Sequence, residues 1–112
     1  MPLTRDFKET VREQAQRDPS FRKALLREAI ECLLAGDVDT GKSVLRNYIN
    51  ATGGFRMLES AVEIPATSLM RMFGPKGNPS ARNLFGVIAH LQQQEGVNFE
   101  IRSSRAARID KP

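Results

Sequence analysis

Seven residues in the second half of the chain have the types and spacing to engage a polyanion: Ala66, Thr67, Ser68 and Arg71, then Lys76, Asn78 and Arg82. They fall within "EIPATSLMRMFGPKGNPSARNL", residues 63–84. Arg71, Lys76 and Arg82 bring positive charge. Thr67, Ser68 and Asn78 bring short hydrogen-bonding groups that suit base edges and phosphate oxygens, and Ala66 allows close approach. From Ile64 to Gln94 there is no acidic residue, although the chain holds 13. An Asp or Glu there would repel phosphate, so the cleared window is the pattern expected of a surface facing double-stranded DNA. The wider charge distribution agrees. Residues 1–63 hold ten Lys/Arg and ten Asp/Glu, while residues 64–112 hold seven and three, so the whole +4 excess lies in the second half.

Other chemistries find little support. The single His90 stands in "VIAHLQQQ", with no Ser/His/Asp set, no paired carboxylates in a turn-rich loop and no metal-ligand spacing around it. "GPKGNPS" lacks the Gly-Lys-Ser/Thr ending of a phosphate-binding loop. No catalytic residue, no metal and no cofactor are therefore expected, and the chain is read as a non-enzyme. One cysteine, Cys32, excludes an intrachain disulfide, and its place in "IECLLA" reads as a small core position. No apolar run approaches bilayer length and the N-terminal residues show no signal-peptide pattern, so the expectation is a cytoplasmic protein with no membrane partner.

The elements that must position these residues read as an all-α bundle of about six helices in one domain over residues 1–102, with a disordered basic tail over 103–112. Asp6, with Glu9 three residues on, has the spacing to cap a first helix carrying Phe7, Val11 and Ala15 on one face. Asp18-Pro19 starts a second helix, whose stripe of Phe21, Leu25, Ala29 and Leu33, widened by Leu26, Ile30 and Leu34, makes it the expected most buried element. Gly36 ends it and Asp37 caps a third, with Val44, Leu45, Tyr48 and Ile49 inward. Two short helices follow, residues 55–62 and 66–73, separated by a tight turn at Glu63-Ile64-Pro65. After the "GPKGNP" loop, Ser80 caps a longer helix that Gly96 stops.

Two short helices joined by a tight turn, with a further helix behind them, follow the helix-turn-helix plan. It occupies residues 53–95. The second short helix would enter the major groove with its N-terminal residues toward base edges. "EIPATSLMRMFGPKGNPSARNLFGVIAHL" resembles the Cro/repressor-type helix-turn-helix. Together with "LLREAIECLLAGDVDTGKSVLRNYINATGGF" it is similar to the addiction-module antidote proteins, HigA-like antitoxins, over roughly residues 3–102. The resemblance implies a homodimeric repressor that binds its own double-stranded DNA operator and neutralises a co-encoded ribonuclease toxin of the HigB or RelE type. It also implies base-reading roles for Ala66, Thr67 and Arg71. Two positions depart from the family pattern: Glu63 stands where the turn usually carries Gly, and Glu59 where the preceding helix usually carries Ala.

Beyond Gly96, Val97, Phe99 and Ile101 alternate with polar residues, the period of a half-buried strand over residues 97–102. A lone strand needs a partner for its backbone groups. With none elsewhere in the chain, the same segment of a second copy is the expected partner, giving a two-fold dimer; the alternative is an extended segment lying on the chain's own helices. The first helix, with few apolar residues to fix it, is the expected toxin-facing surface. The alternatives are a solitary regulator with the same helix-turn-helix, or a protein-interaction module that keeps the fold without binding DNA.

Overall fold

The computed structural model describes residues 3–105, with side chains from Glu9 onward. It is all-helical: α1 (Leu3–Arg17), α2 (Pro19–Leu34), α3 (Val38–Ala51), α4 (Gly54–Val62), α5 (Ala66–Met72) and α6 (Ala81–Glu95). Among the described residues no helix is long and apolar enough to cross a membrane.

The helix starts follow their capping residues. Asp18 accepts hydrogen bonds from the amides of Ser20 and Phe21, ahead of Pro19 in the first turn, and Asp37 accepts from Thr40. Ser80 accepts from Asn83, and Gly96, at φ 69°, ends α6. Asp6 is different: α1 already begins at Leu3, so Asp6 lies inside the helix and not at its cap. The expected side-chain role of Phe7 lies outside the described residues.

The core is built around α3, which touches α1, α2 and α4. Leu45, Tyr48 and Ile49 of α3 are buried with Leu26 and Ala29 of α2, Phe55 and Leu58 of α4, Leu69 and Phe73, and Val87, Ile88 and Leu91 of α6. This corrects the expectation that α2 is the most buried helix. Only Leu26 and Ala29 of α2 are buried, and Leu34 at its end is 64% exposed. Cys32, expected in the core, is only half-buried. Gly41 lets α3 come close to α2, since a Cβ there would meet the Leu33 side chain at 2.7 Å.

A polar network ties the two ends of the chain together inside this core. Arg22 Nε donates to both carboxylate oxygens of Glu95, at 3.1 and 2.9 Å, and its Nη1 donates to the carbonyl of Ala15 at 2.6 Å. The Tyr48 hydroxyl donates to the same Glu95 carboxylate. One carboxylate thus binds α2 and α3 to α6, and Arg22 holds the end of α1 as well. Burial, and then the bond to Glu95, push the Tyr48 hydroxyl well above the usual phenol range. The raised group favours the fold at every pH below the unfolded phenol pKa of about 10, and that contribution is lost as pH rises beyond it. Tyr48 is the only tyrosine. Its phenolate absorbance is therefore expected to develop only with loss of helical circular dichroism. Reversible ionisation near pH 10 with the helices intact would contradict this placement.

Between α4 and α5 the turn is made by Glu63, Ile64 and Pro65, with Ile64 packed against the core. Glu63 adopts the left-handed conformation (φ 59°, ψ 41°) at the end of α4, the only non-glycine with positive φ among the described residues. Its Cβ is disfavoured there by about 1 kcal/mol. Glu63→Gly is expected to raise the urea midpoint by about that much stability with an unchanged slope; a lowered midpoint would contradict the strain. Glu59, the other departure in this pair of helices, points to solvent.

The expected strand at 97–102 is not one: there is no strand among the described residues. Gln92 explains why. Its backbone carbonyl accepts from the Val97 amide at 3.0 Å, and its side-chain Oε1 accepts from the Phe99 amide at 2.8 Å. The donor that a strand partner would have met is satisfied by α6, and Phe99 packs against the chain's own core. Val97 and Phe99 are half-buried, whereas Ile101 is 81% exposed. Residues 103–105 are exposed without regular structure, and the rest of the expected tail lies outside the described residues.

Candidate nucleic-acid interface

α5 is held by one face only. Leu69 is fully buried, Met72 packs against the core, and Phe73, which closes the helix, lies beside Phe55 with ring centroids 6.3 Å apart. The remaining face carries the predicted residues. Thr67 and Arg71 are exposed and Ser68 is half-exposed. Ala66 turns partly inward against the core, so it can offer only part of its methyl to a ligand. Lys76 and Asn78 are exposed in the loop after α5, and Arg82 is exposed in the first turn of α6. Among the described residues no acidic side chain forms an ion pair with Arg71, Lys76 or Arg82. Their charges are available to an outside anion.

Met70 joins this face, 47% exposed beside Arg71. Its signal in the sequence was indirect: at helical spacing it falls outside the inward set of Leu69 and Met72. Behind Arg82 a groove of about 530 Å³ runs between the α4–α5 turn and α6, with Val62, Glu63, Ile64, Gly86 and His90 in its walls. His90 is thus a half-buried groove residue. Among the described residues no group of three or more His, Cys, Asp or Glu is arranged to hold a metal ion.

The loop carrying Lys76 and Asn78 is anchored from α3 by two cations. Lys42 is 4% exposed, and its Nζ donates to the carbonyls of Gly74 at 3.2 Å and Gly77 at 2.6 Å. Arg46 Nη1 donates to the Phe73 carbonyl at 3.1 Å. These bonds satisfy carbonyls beyond the end of α5, where positive charge also complements the helix dipole. Neither residue was singled out in the sequence. The available signal was position: Lys42 lies on the same helical face as Leu45 and Ile49, where a cation needs buried acceptors. No protein family, curated protein or solved structure matches the chain.

Proposed function

We propose that the chain is a sequence-specific DNA-binding repressor, with α4 and α5 acting as a Cro/repressor-type helix-turn-helix and α5 entering the major groove. The observation that carries this reading is the exposed set Thr67, Arg71, Lys76, Asn78 and Arg82, free of acidic ion-pair partners among the described residues, in a window without acids. In this reading Thr67 and Arg71 read base edges, Ser68 and Asn78 support them, and Lys76 and Arg82 meet phosphates. Ala66 adds a partly covered methyl at the groove.

The test is a gel-shift titration on the protein's own promoter at several salt concentrations. Arg71→Ala is expected to weaken operator binding by about 2 kcal/mol and relax preference at one base position. Lys76→Ala is expected to weaken all sequences alike and flatten the salt dependence by about one unit of slope. Wild-type protein without salt-dependent affinity for any duplex would favour the second reading, a protein-interaction module. Glu59 and Glu63 on the exposed side of the short helices, and Met70 beside Arg71, are the features in its favour.

Within the repressor reading, an antitoxin role rests on the resemblance to HigA-like proteins. It brings a co-encoded HigB/RelE-like toxin as partner; the choice of α1 as the toxin-facing surface rests instead on the few apolar residues of that helix. A palindromic operator calls for a homodimer with recognition helices about 34 Å apart. Pairing of residues 97–102 between copies would require Phe99 to exchange its bond with Gln92 for one to the partner.

A further inference from the structure

We infer that Lys42 and Arg46 are positioning residues for DNA binding, holding the phosphate-facing loop from inside the protein; this rests on the repressor reading above. The geometry is specific. Lys76 lies between Gly74 and Gly77, and both of those carbonyls end on the Lys42 ammonium. The backbone is therefore pinned on each side of the residue offered to phosphate, and Asn78 follows the second pin directly. Arg46 fixes the carbonyl at which the loop leaves α5. Gly77 N also donates to the Gly74 carbonyl at 3.0 Å, closing the loop into a tight turn.

A buried ammonium is a costly way to fill space. Its nearest carboxylate, Asp39, is 3.9 Å away and 93% exposed, so solvent screens much of that attraction. The backbone carbonyls are its principal partners. An apolar side chain would cover the same core without desolvating a charge, but it would not direct the loop. Lys42 is itself too buried to touch DNA. Its contribution is preorganisation: a loop already ordered loses less freedom when it binds.

A double-mutant cycle separates this role from ordinary stability. Lys42→Met removes the ammonium and keeps an unbranched apolar stem. It is expected to lower affinity for the promoter duplex roughly tenfold and to speed amide exchange at residues 74 and 76–78. Lys42→Met/Lys76→Ala is expected to bind less than about tenfold more weakly than Lys76→Ala alone, because the pinned loop has then lost one of the two side chains it presents, with Asn78 remaining. A merely structural Lys42 would lower the melting temperature and give effects on affinity that add to those of Lys76→Ala. Additive effects, or wild-type affinity in Lys42→Met, overturn the positioning role while leaving DNA binding in place. Absence of salt-dependent duplex binding by the wild type overturns the repressor reading and this role with it. Should Lys42→Met lack helical circular dichroism, the same cycle is run with Arg46→Met, whose side chain is only half-buried; coupling to Lys76→Ala supports the positioning role and additivity overturns it.

Discussion

Arg22→Ala is expected to destabilise the protein by about 3–4 kcal/mol. Glu95 is 3% exposed at its side chain, and Arg22 is the cation paired with it at 2.9 Å. Removing the guanidinium leaves a buried carboxylate with only the Tyr48 hydroxyl as a side-chain donor, and it frees the Ala15 carbonyl that holds α1. A buried charge that loses its partner costs more than the pair contributes, because its desolvation is no longer offset. The same reasoning predicts the rescue. Arg22→Met, Glu95→Leu and Tyr48→Phe together replace the three polar side chains with apolar groups of similar volume, leaving only the Ala15 carbonyl without its donor, and should recover part of the lost stability. Urea unfolding followed by circular dichroism reads both outcomes. A single Arg22→Ala protein within about 1 kcal/mol of wild type, on the order of an exposed pair, would mean that the network does not hold the helices together.

The second large effect is expected at Gly77. A Cβ built there would lie 2.0 Å from the Arg71 carbonyl oxygen and 2.4 Å from that of Met72. Both obstacles are backbone at the end of α5, so no side-chain rotation relieves them. Gly77→Ala must push the loop away from the helix, breaking the 2.6 Å bond from Lys42. The expected loss is about 3 kcal/mol, the upper end for overpacking. Under the repressor reading, promoter affinity should fall as well, even under conditions where the variant is fully folded. Wild-type stability in Gly77→Ala would show that the loop does not fold back on α5.

Much of this fold was legible because it is local. Asp18-Pro19, Asp37, Ser80 and Gly96 announce helix ends through bonds to residues a few positions away, and those ends are where the sequence pattern puts them. The left-handed turn residue was legible too, since a tight turn between two short helices needs one whatever its identity. What could not be read was tertiary. Period-two alternation at Val97 and Phe99 describes a segment with one face covered, but it does not say whether a strand or a helix covers it; here Gln92 of α6 takes the amide. The stripe on α2 gave the right face but not its width: Leu26 and Ala29 are buried, whereas Leu34 is 64% exposed. Within the candidate interface, exposure of Thr67, Arg71, Lys76 and Asn78 followed from helix period and turn chemistry. The anchoring by Lys42 and Arg46 spans 27 to 35 residues in sequence and has no local signature.

The Arg22–Glu95 pair also sets a schedule. Its two residues are 73 positions apart. At about 5–20 residues per second, a ribosome takes roughly 4–15 s to make Glu95 after Arg22. α1, α2 and α3 can form during that interval, but the nascent chain carries an unpaired guanidinium where the finished protein has a lock. The lock closes only when the end of α6 arrives, so any product terminated before Glu95 never acquires it. For a cell, such incomplete chains would be distinguished from finished ones by how readily their first helix is opened and cut.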